Sequence, residues 1–393
     1  MLRDPDEPGA RESAAALIIE NGEIWGPEPQ GVRTLFAWEG RLQRITSEEP
    51  RRLLDELGIP YETIDAAGCF VLPGVIDAHE HLIGGSGECG FASQTPEITL
   101  PELVLGGVTT VVGCLGVDTI TRTMPALLAR AKGFNEEGLT AYIYSGGYDV
   151  PPRTLTGSLR SDLLLVPEVI GAGEIAISDR RSSQPRIDEL AKVVNDAYVG
   201  GILSGKSGIT HFHVGDGKAM LRPIRELLES YDIRPESVYP THIERHRALM
   251  EEGIELTRLG VTIDLDTEER DLAKWLTLFF ERDGNPDRIT ASSDAAIMSP
   301  ATLYEQVRIC VLEAGLPLER VLATVTRNPA RVLGLSKKGK VQPGMDADLL
   351  VVRADDLSIR DVIARGRVLA RDRRLLVPPR SVARGNRNKE YHG

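Results

Sequence analysis

His79 and His81 stand two apart at the end of the apolar stretch Val71-Leu72-Pro73-Gly74-Val75-Ile76. That stretch reads as a buried strand, and residues two apart on a strand project to one face. Two imidazoles so placed can share a metal ion, with Glu80 turned the other way. By themselves they can equally be two ordinary histidines. The other histidines bear on the choice. Of seven in the chain, His211 and His213 close the run Ile209-Thr210-His211-Phe212-His213, and His242 closes Ser237-Val238-Tyr239-Pro240-Thr241-His242. A lone histidine at a strand end is usually a hydrogen-bonded structural residue. Several such ends, with Asp294 after Ser292-Ser293, form a set with metal-ligand chemistry.

Bringing these residues together needs a fold that gathers strand ends. After residues 71–76, strand patterns recur at 108–113, 140–145, 174–178, 209–214, 237–242, 262–265 and 288–292, making eight. Helical periodicity lies between them, as over 219–231, 247–259 and 272–281. Eight βα units over residues 71–335 match the length of a (β/α)8 TIM barrel, whose strand C-termini form the active face. Right-handed crossovers leave few other topologies. At that face fall His79, His81, Tyr148, Glu174, His213, His242 and Asp294.

The two ends of the chain read differently. Short strands at 16–20, 32–37 and 41–45, a helix at 51–57, and strands at 346–352, 359–364 and 367–369 cannot bury both faces separately. Together they predict a small β-sandwich domain built from residues 14–70 and 336–379, flanking a barrel at 71–335. Residues 1–13 and 380–393 read as a flexible arm and tail.

At 393 residues the chain has room for one large domain and a smaller one. A net charge of −12 without a basic stripe argues against nucleic acid and anionic membrane as partners. Four scattered cysteines form no disulfide framework, which fits a reducing compartment. The N-terminus lacks a signal-peptide core, and no apolar run reaches the ~18 residues of a membrane span. The expectation is a cytoplasmic protein.

The ordered series PGVIDAHEHLIGGSGE, GGVTTVVGCLG, NEEGLTAYIYSGGYDVP, IAISDRRS, GKSGITHFHVGD, PTHIER, ITASSD and NPARVLGLSKKGKVQPGMDADLLVV resembles the amidohydrolase superfamily, and within it the isoaspartyl dipeptidases. The resemblance implies two zinc ions per subunit, one on His79, His81 and Asp294, the other on His213 and His242. It also implies a strand-four carboxylate and a hydroxide bridging the two. Where the family usually has a carboxylated lysine, this chain has Glu174, a hard oxygen donor several atoms shorter. The strand or the metals must then shift inward, or one metal is held weakly. His211 is left a hydrogen-bonded supporting role. The resemblance further places Glu88 on a substrate ammonium, with Ser86 in the same loop. It puts Arg181 and Arg245 on a substrate carboxylate, Tyr148 on the scissile carbonyl oxygen, and Asp294 as the catalytic base. It implies cleavage of β-aspartyl dipeptides and a homo-oligomer.

Two positions depart from that pattern: Val117 stands where a threonine is expected, and Met298 where a small polar residue is expected. Both remove a donor from the substrate pocket. Rival readings are an N-acyl amino acid or cyclic amide hydrolase on the same scaffold, and a barrel that binds without catalysis.

Overall fold

The computed structural model describes residues 16–46, 50–85, 87–296 and 298–377. The arm at 1–13 and the tail at 380–393 lie outside them. The fold is mixed α/β, with a curled parallel sheet at its centre. Six strands pair in chain order: Val75–Glu80, Val108–Gly113, Thr140–Ser145, Val169–Ile177, Ile209–Val214 and Val238–Thr241. Two more, Ile263–Asp266 and Ile289–Ser292, form a parallel pair. A bridge from Glu80 to Ala295, just past the eighth strand, returns the series to its first member. The first, second, fourth and fifth strands are buried along their whole length, as expected of parallel strands covered on both faces.

The connecting helices start and stop where their sequences dictate. In helix Leu100–Leu105, Thr99 and Glu102 form a reciprocal cap, with proline in the first turn. Helix Met124–Glu137 starts at Thr123, whose hydroxyl accepts from the Ala126 amide, and stops at the left-handed Gly138. Helix Ile187–Ser204 is closed the same way by Gly205. Apolar faces such as Leu190, Val194 and Ala197 pack into one core with Val169, Ile175 and Phe212 of the strands.

Strands from both termini share one nine-stranded sheet. Cys69–Pro73 lies between Leu349–Arg353 and Ala16–Trp25, with Tyr61–Asp65 also on Ala16–Trp25. Where two sheets of a sandwich were expected, the hydrogen bonding is continuous. Leu17, Ile24, Leu35, Val71, Val351 and Ile363 from both chain ends share a core of their own.

Several boundaries differ from the sequence reading. Residues 71–76 are not one strand. Cys69–Pro73 belongs to the terminal sheet and Val75–Glu80 to the central one. Gly74 is the joint: its amide donates to the Asp348 carbonyl at 2.8 Å, and a Cβ there would run into the Thr109 side chain. The fourth strand starts at Val169 rather than 174, its front half hidden by Gly171 and Gly173, which score against strand. The strands Tyr61–Asp65 and Cys69–Pro73 were not separated from their surroundings by pattern alone.

Candidate metal centre

The residues singled out at the strand ends meet. His79 Nε2 lies 3.3 Å from Glu174 Oε2 and 3.4 Å from Asp294 Oδ1. His81 Nε2 lies 3.2 Å from the same Asp294 oxygen and 4.0 Å from Glu174 Oε2. On the other side, Glu174 Oε1 is 2.7 Å from His213 Nδ1 and 3.2 Å from His242 Nε2. The two carboxylate oxygens thus divide four imidazoles into two pairs.

Glu174 reaches this position through a bulge. Thr210 pairs with Ala172 and Phe212 with Ile175, so the fourth strand uses one residue more than the fifth across Gly173 and Glu174. Gly173 has φ +146°, and a Cβ on it would lie 2.8 Å from the Cβ and the carbonyl oxygen of His211. His242 and Asp294 also sit in the left-handed region, at φ +65° and +48°.

Outer groups set several of the rings. His242 Nδ1 donates to Asp266 Oδ2 at 2.7 Å, leaving Nε2 for the cluster. His213 Nε2 is 3.1 Å from Asp179 Oδ2. His211 Nδ1 donates to the Tyr239 carbonyl at 3.1 Å, the supporting role foreseen for it, and its ring stands edge-on to His79. Asp179 and Asp266 were missed by sequence reasoning. Their signals were slight: an aspartate two residues before Arg181, and the second aspartate of Ile263-Asp264-Leu265-Asp266.

The electrostatics agree with the geometry. Burial alone would raise the Glu174 pKa, but His79 and His213 hold it well below the carboxylate range. Burial likewise opposes ionisation of Asp294, and His79 and His81 outweigh it. Burial pushes His242 down, while Asp266 and Glu174 bring it up to about 9. Burial, with the Glu174 charge nearby, keeps the Tyr148 hydroxyl protonated.

These donors fit a metal. Both ring nitrogens of His79, Glu174 Oε2 and Asp294 Oδ1 are buried with no hydrogen-bond partner, a costly condition that a cation relieves. Two donors bonded at ~2.1 Å to one tetrahedral cation stand ~3.4 Å apart, close to the 3.2–3.4 Å from His79 Nε2 to these oxygens, from His81 Nε2 to Asp294 Oδ1 and from His242 Nε2 to Glu174 Oε1. The sets His79–His242–Asp294 and Glu174–His213–His242 each have ligand atoms within 4.8 Å of one another, and so does a set of His79, His81, Glu174 and Cys114.

Around the cluster, Tyr148 Oη is 2.8 Å from His213 Nδ1. Arg181 is held by Asp179, at 2.8 Å to Oδ2 and 3.0 Å to Oδ1, and by Glu88 at 2.7 Å. Glu88 and Arg181, predicted to face a substrate, therefore face each other. Arg245 is not drawn into this chain of contacts: its Nε donates to the Val214 carbonyl at 2.9 Å, and Asp216 is 3.9 Å away. Ser86 lies outside the described residues.

The Amidohydrolase family matches residues 233–369. Among solved structures, the chain is similar to the β-aspartyl dipeptidase of the thermophilic keratin-degrading Fervidobacterium islandicum AW-1. The two are 40% identical with a TM-score of 0.87, over 92% of this chain and 98% of that one. A second structure of that protein, in complex with a β-Asp-Leu dipeptide, gives 39% identity and a TM-score of 0.86 over the same shares. Curated relatives are more distant. The imidazolonepropionase of Ruegeria sp. strain TM1040 is 21% identical over 336 residues, 73% of this chain and 79% of that protein. An adenine deaminase of Geobacillus kaustophilus is 25% identical over 396 residues, 94% of this chain, which spans only 60% of the deaminase.

Proposed function

The chain belongs to the amidohydrolase family, and from that premise we propose that it is a binuclear metal-dependent hydrolase of β-aspartyl (isoaspartyl) dipeptides. The observation that carries the reading is the division of labour at Glu174, with Oε1 toward His213 and His242 and Oε2 toward His79. A carboxylate placed so would serve two cations, one held by His213 and His242, the other by His79, His81 and Asp294. The mixed nitrogen and oxygen donor set suits zinc. When bound, such ions lower the pKa of water from 15.7 to about 7 and polarise an amide carbonyl.

The chain's own residues do the rest. Asp294, held in its charged form and slightly open to solvent, takes a proton from the attacking water as the new C–O bond forms. It returns that proton to the leaving amine as the C–N bond breaks. Tyr148, protonated and above the cluster, donates to the carbonyl oxygen as negative charge develops. Glu88 takes the substrate ammonium. Arg181, Arg245 and Ser86 orient the rest of the dipeptide.

The same reading closes the eight strands into a full (β/α)8 barrel over 75–335, supported by the Glu80–Ala295 bridge. It assigns the described residues of 16–73 and 336–377 to a small β domain. A cytoplasmic homo-oligomer belongs to it as well; no helix among the described residues is long and apolar enough to cross a membrane.

The test is hydrolysis of β-Asp-Leu by the zinc-loaded protein, against an N-acyl amino acid and a dihydropyrimidine. Turnover of the dipeptide well above both supports the proposal. Preference for either competitor reassigns the substrate.

A further inference from the structure

Three of the four imidazoles in the cluster give one nitrogen to an outer partner. For His242 and His213 that partner is a carboxylate, Asp266 at 2.7 Å and Asp179 at 3.1 Å. For His81 it is a thiol: Cys114 Sγ lies 3.7 Å from Nδ1. Cys114 follows the second strand, is fully buried, and sits 3.6 Å from the carbonyl oxygen of Glu80. A thiol has one proton to donate and can also accept weakly. With S–H directed at the Glu80 carbonyl, the sulfur is free to accept from His81 Nδ1–H.

We infer that Cys114 is a positioning residue for the metal centre, fixing His81 as the tautomer whose Nε2 is bare and faces Asp294. Gly116 supports the same ring from the next loop, where a Cβ would lie 3.0 Å from His81 Cε1. His81 Nε2 lies 3.2 Å from Asp294 Oδ1. An outer partner of this kind is a tuning element for the ligand it holds, and its loss typically costs about 10–100-fold in metal affinity. A neutral thiol accepts more weakly than a carboxylate, so His81 is a poorer donor than His213 or His242. The cation on the His79–His81 side is then the more easily removed of the two.

The inference rests on the two-cation reading, and cadmium titration separates the two. Wild type, Cys114→Ala and Cys114→Ser are stripped with chelator, checked for folding by circular dichroism, and titrated with Cd2+ against a competing chelator. Ultraviolet absorbance is followed throughout. The expected result is two cations in wild type without a thiolate-to-cadmium charge-transfer band. Cys114→Ala should weaken one of the two by about 10–100-fold. Cys114→Ser, whose hydroxyl can also donate and accept, should recover most of that loss and serves where the alanine variant fails to fold. A charge-transfer band in wild type overturns the inference by making the sulfur a direct ligand. Equal affinities in wild type and Cys114→Ala overturn it too. Fewer than two cations in wild type overturns the two-cation reading and this inference with it.

Discussion

Gly173→Ala separates the placement of Glu174 from the mere presence of a carboxylate. The bulge across Gly173 and Glu174 brings the fourth strand against His211, where an added Cβ would lie 2.8 Å from both the Cβ and the carbonyl oxygen of that residue. His211 has little room to yield: it is fully buried, its Nδ1 donates to the Tyr239 carbonyl, and its ring stacks on Tyr144 at 4.9 Å. Forcing alanine into this backbone region costs ~1–3 kcal/mol, and overpacking a buried site adds ~1–3 kcal/mol. The variant should therefore lose roughly 2–6 kcal/mol of unfolding free energy, read from its denaturant midpoint. Relief of the clash moves the strand outward, so Glu174 cannot keep both its 2.7 Å approach to His213 and its 3.3 Å approach to His79. Elemental analysis should then find one zinc or fewer per chain, against the two proposed for wild type. Glu174→Asp, with the bulge intact and one methylene less, should lose metal without the clash. A Gly173→Ala protein with two zinc ions and an unchanged denaturation midpoint would refute the reasoning.

Asp294→Asn should keep dipeptide binding and lose nearly all turnover; steady-state kinetics showing kcat within tenfold of wild type, about 1.4 kcal/mol of barrier, would remove Asp294 as the base. Glu88→Gln frees Arg181 from a partly exposed ion pair contributing ~0–1 kcal/mol but removes the proposed partner of a substrate ammonium, a bond of ~1.5–3 kcal/mol. kcat/KM for β-Asp-Leu should accordingly fall roughly tenfold or more, while an N-acetylated analogue, with no ammonium, shows no such fall. Lys338 is buried; desolvation lowers its pKa, but Asp348 and Asp346 outweigh that and raise it. Because the folded value lies above the unfolded one, this stabilisation is present below the unfolded pKa of ~10.4 and is lost as pH climbs through the folded value. Denaturant midpoints measured from neutral to strongly alkaline pH should fall over that range, and Lys338→Gln should start lower and show less of the fall.

Much of the site was legible because strand ends leave a mark in sequence. His79 and His81, His211 and His213, and His242 each close an apolar run, and alternation fixes which members of a pair face together. The fold's divisions were less legible. Val71 to Ile76 is uniformly apolar, so nothing in its periodicity reveals that the chain leaves one sheet and enters another at Gly74. The fourth strand was half hidden because its opening residues, Val169-Ile170-Gly171-Ala172-Gly173, carry two glycines where pattern reading expects β-branched side chains. Cys114, Asp179 and Asp266 could not be assigned by spacing, since each acts on a histidine far away in the chain. The Glu88–Arg181 pair was illegible because its members lie 93 residues apart, in loops after different strands.

Ligand placement and the bonding of the residues past the eighth strand to the first strand are one structural feature. Asp294 donates its amide to the His79 carbonyl at 3.1 Å, and His81 donates to the Ala295 carbonyl at 3.1 Å. Asp77 adds a third tie, accepting from the Ser293 amide at 3.1 Å. The backbone that joins the eighth strand to the first is therefore the backbone of the candidate ligands. Asp294 makes these bonds from φ +48°, a conformation costing ~1–3 kcal/mol that persists only where surrounding contacts impose it. The strand ends could not drift apart without carrying His79, His81 and Asp294 with them. A centre held this way is shaped by the fold before any cation arrives, so the orphaned nitrogens and oxygens stay close together at the cost of their own desolvation.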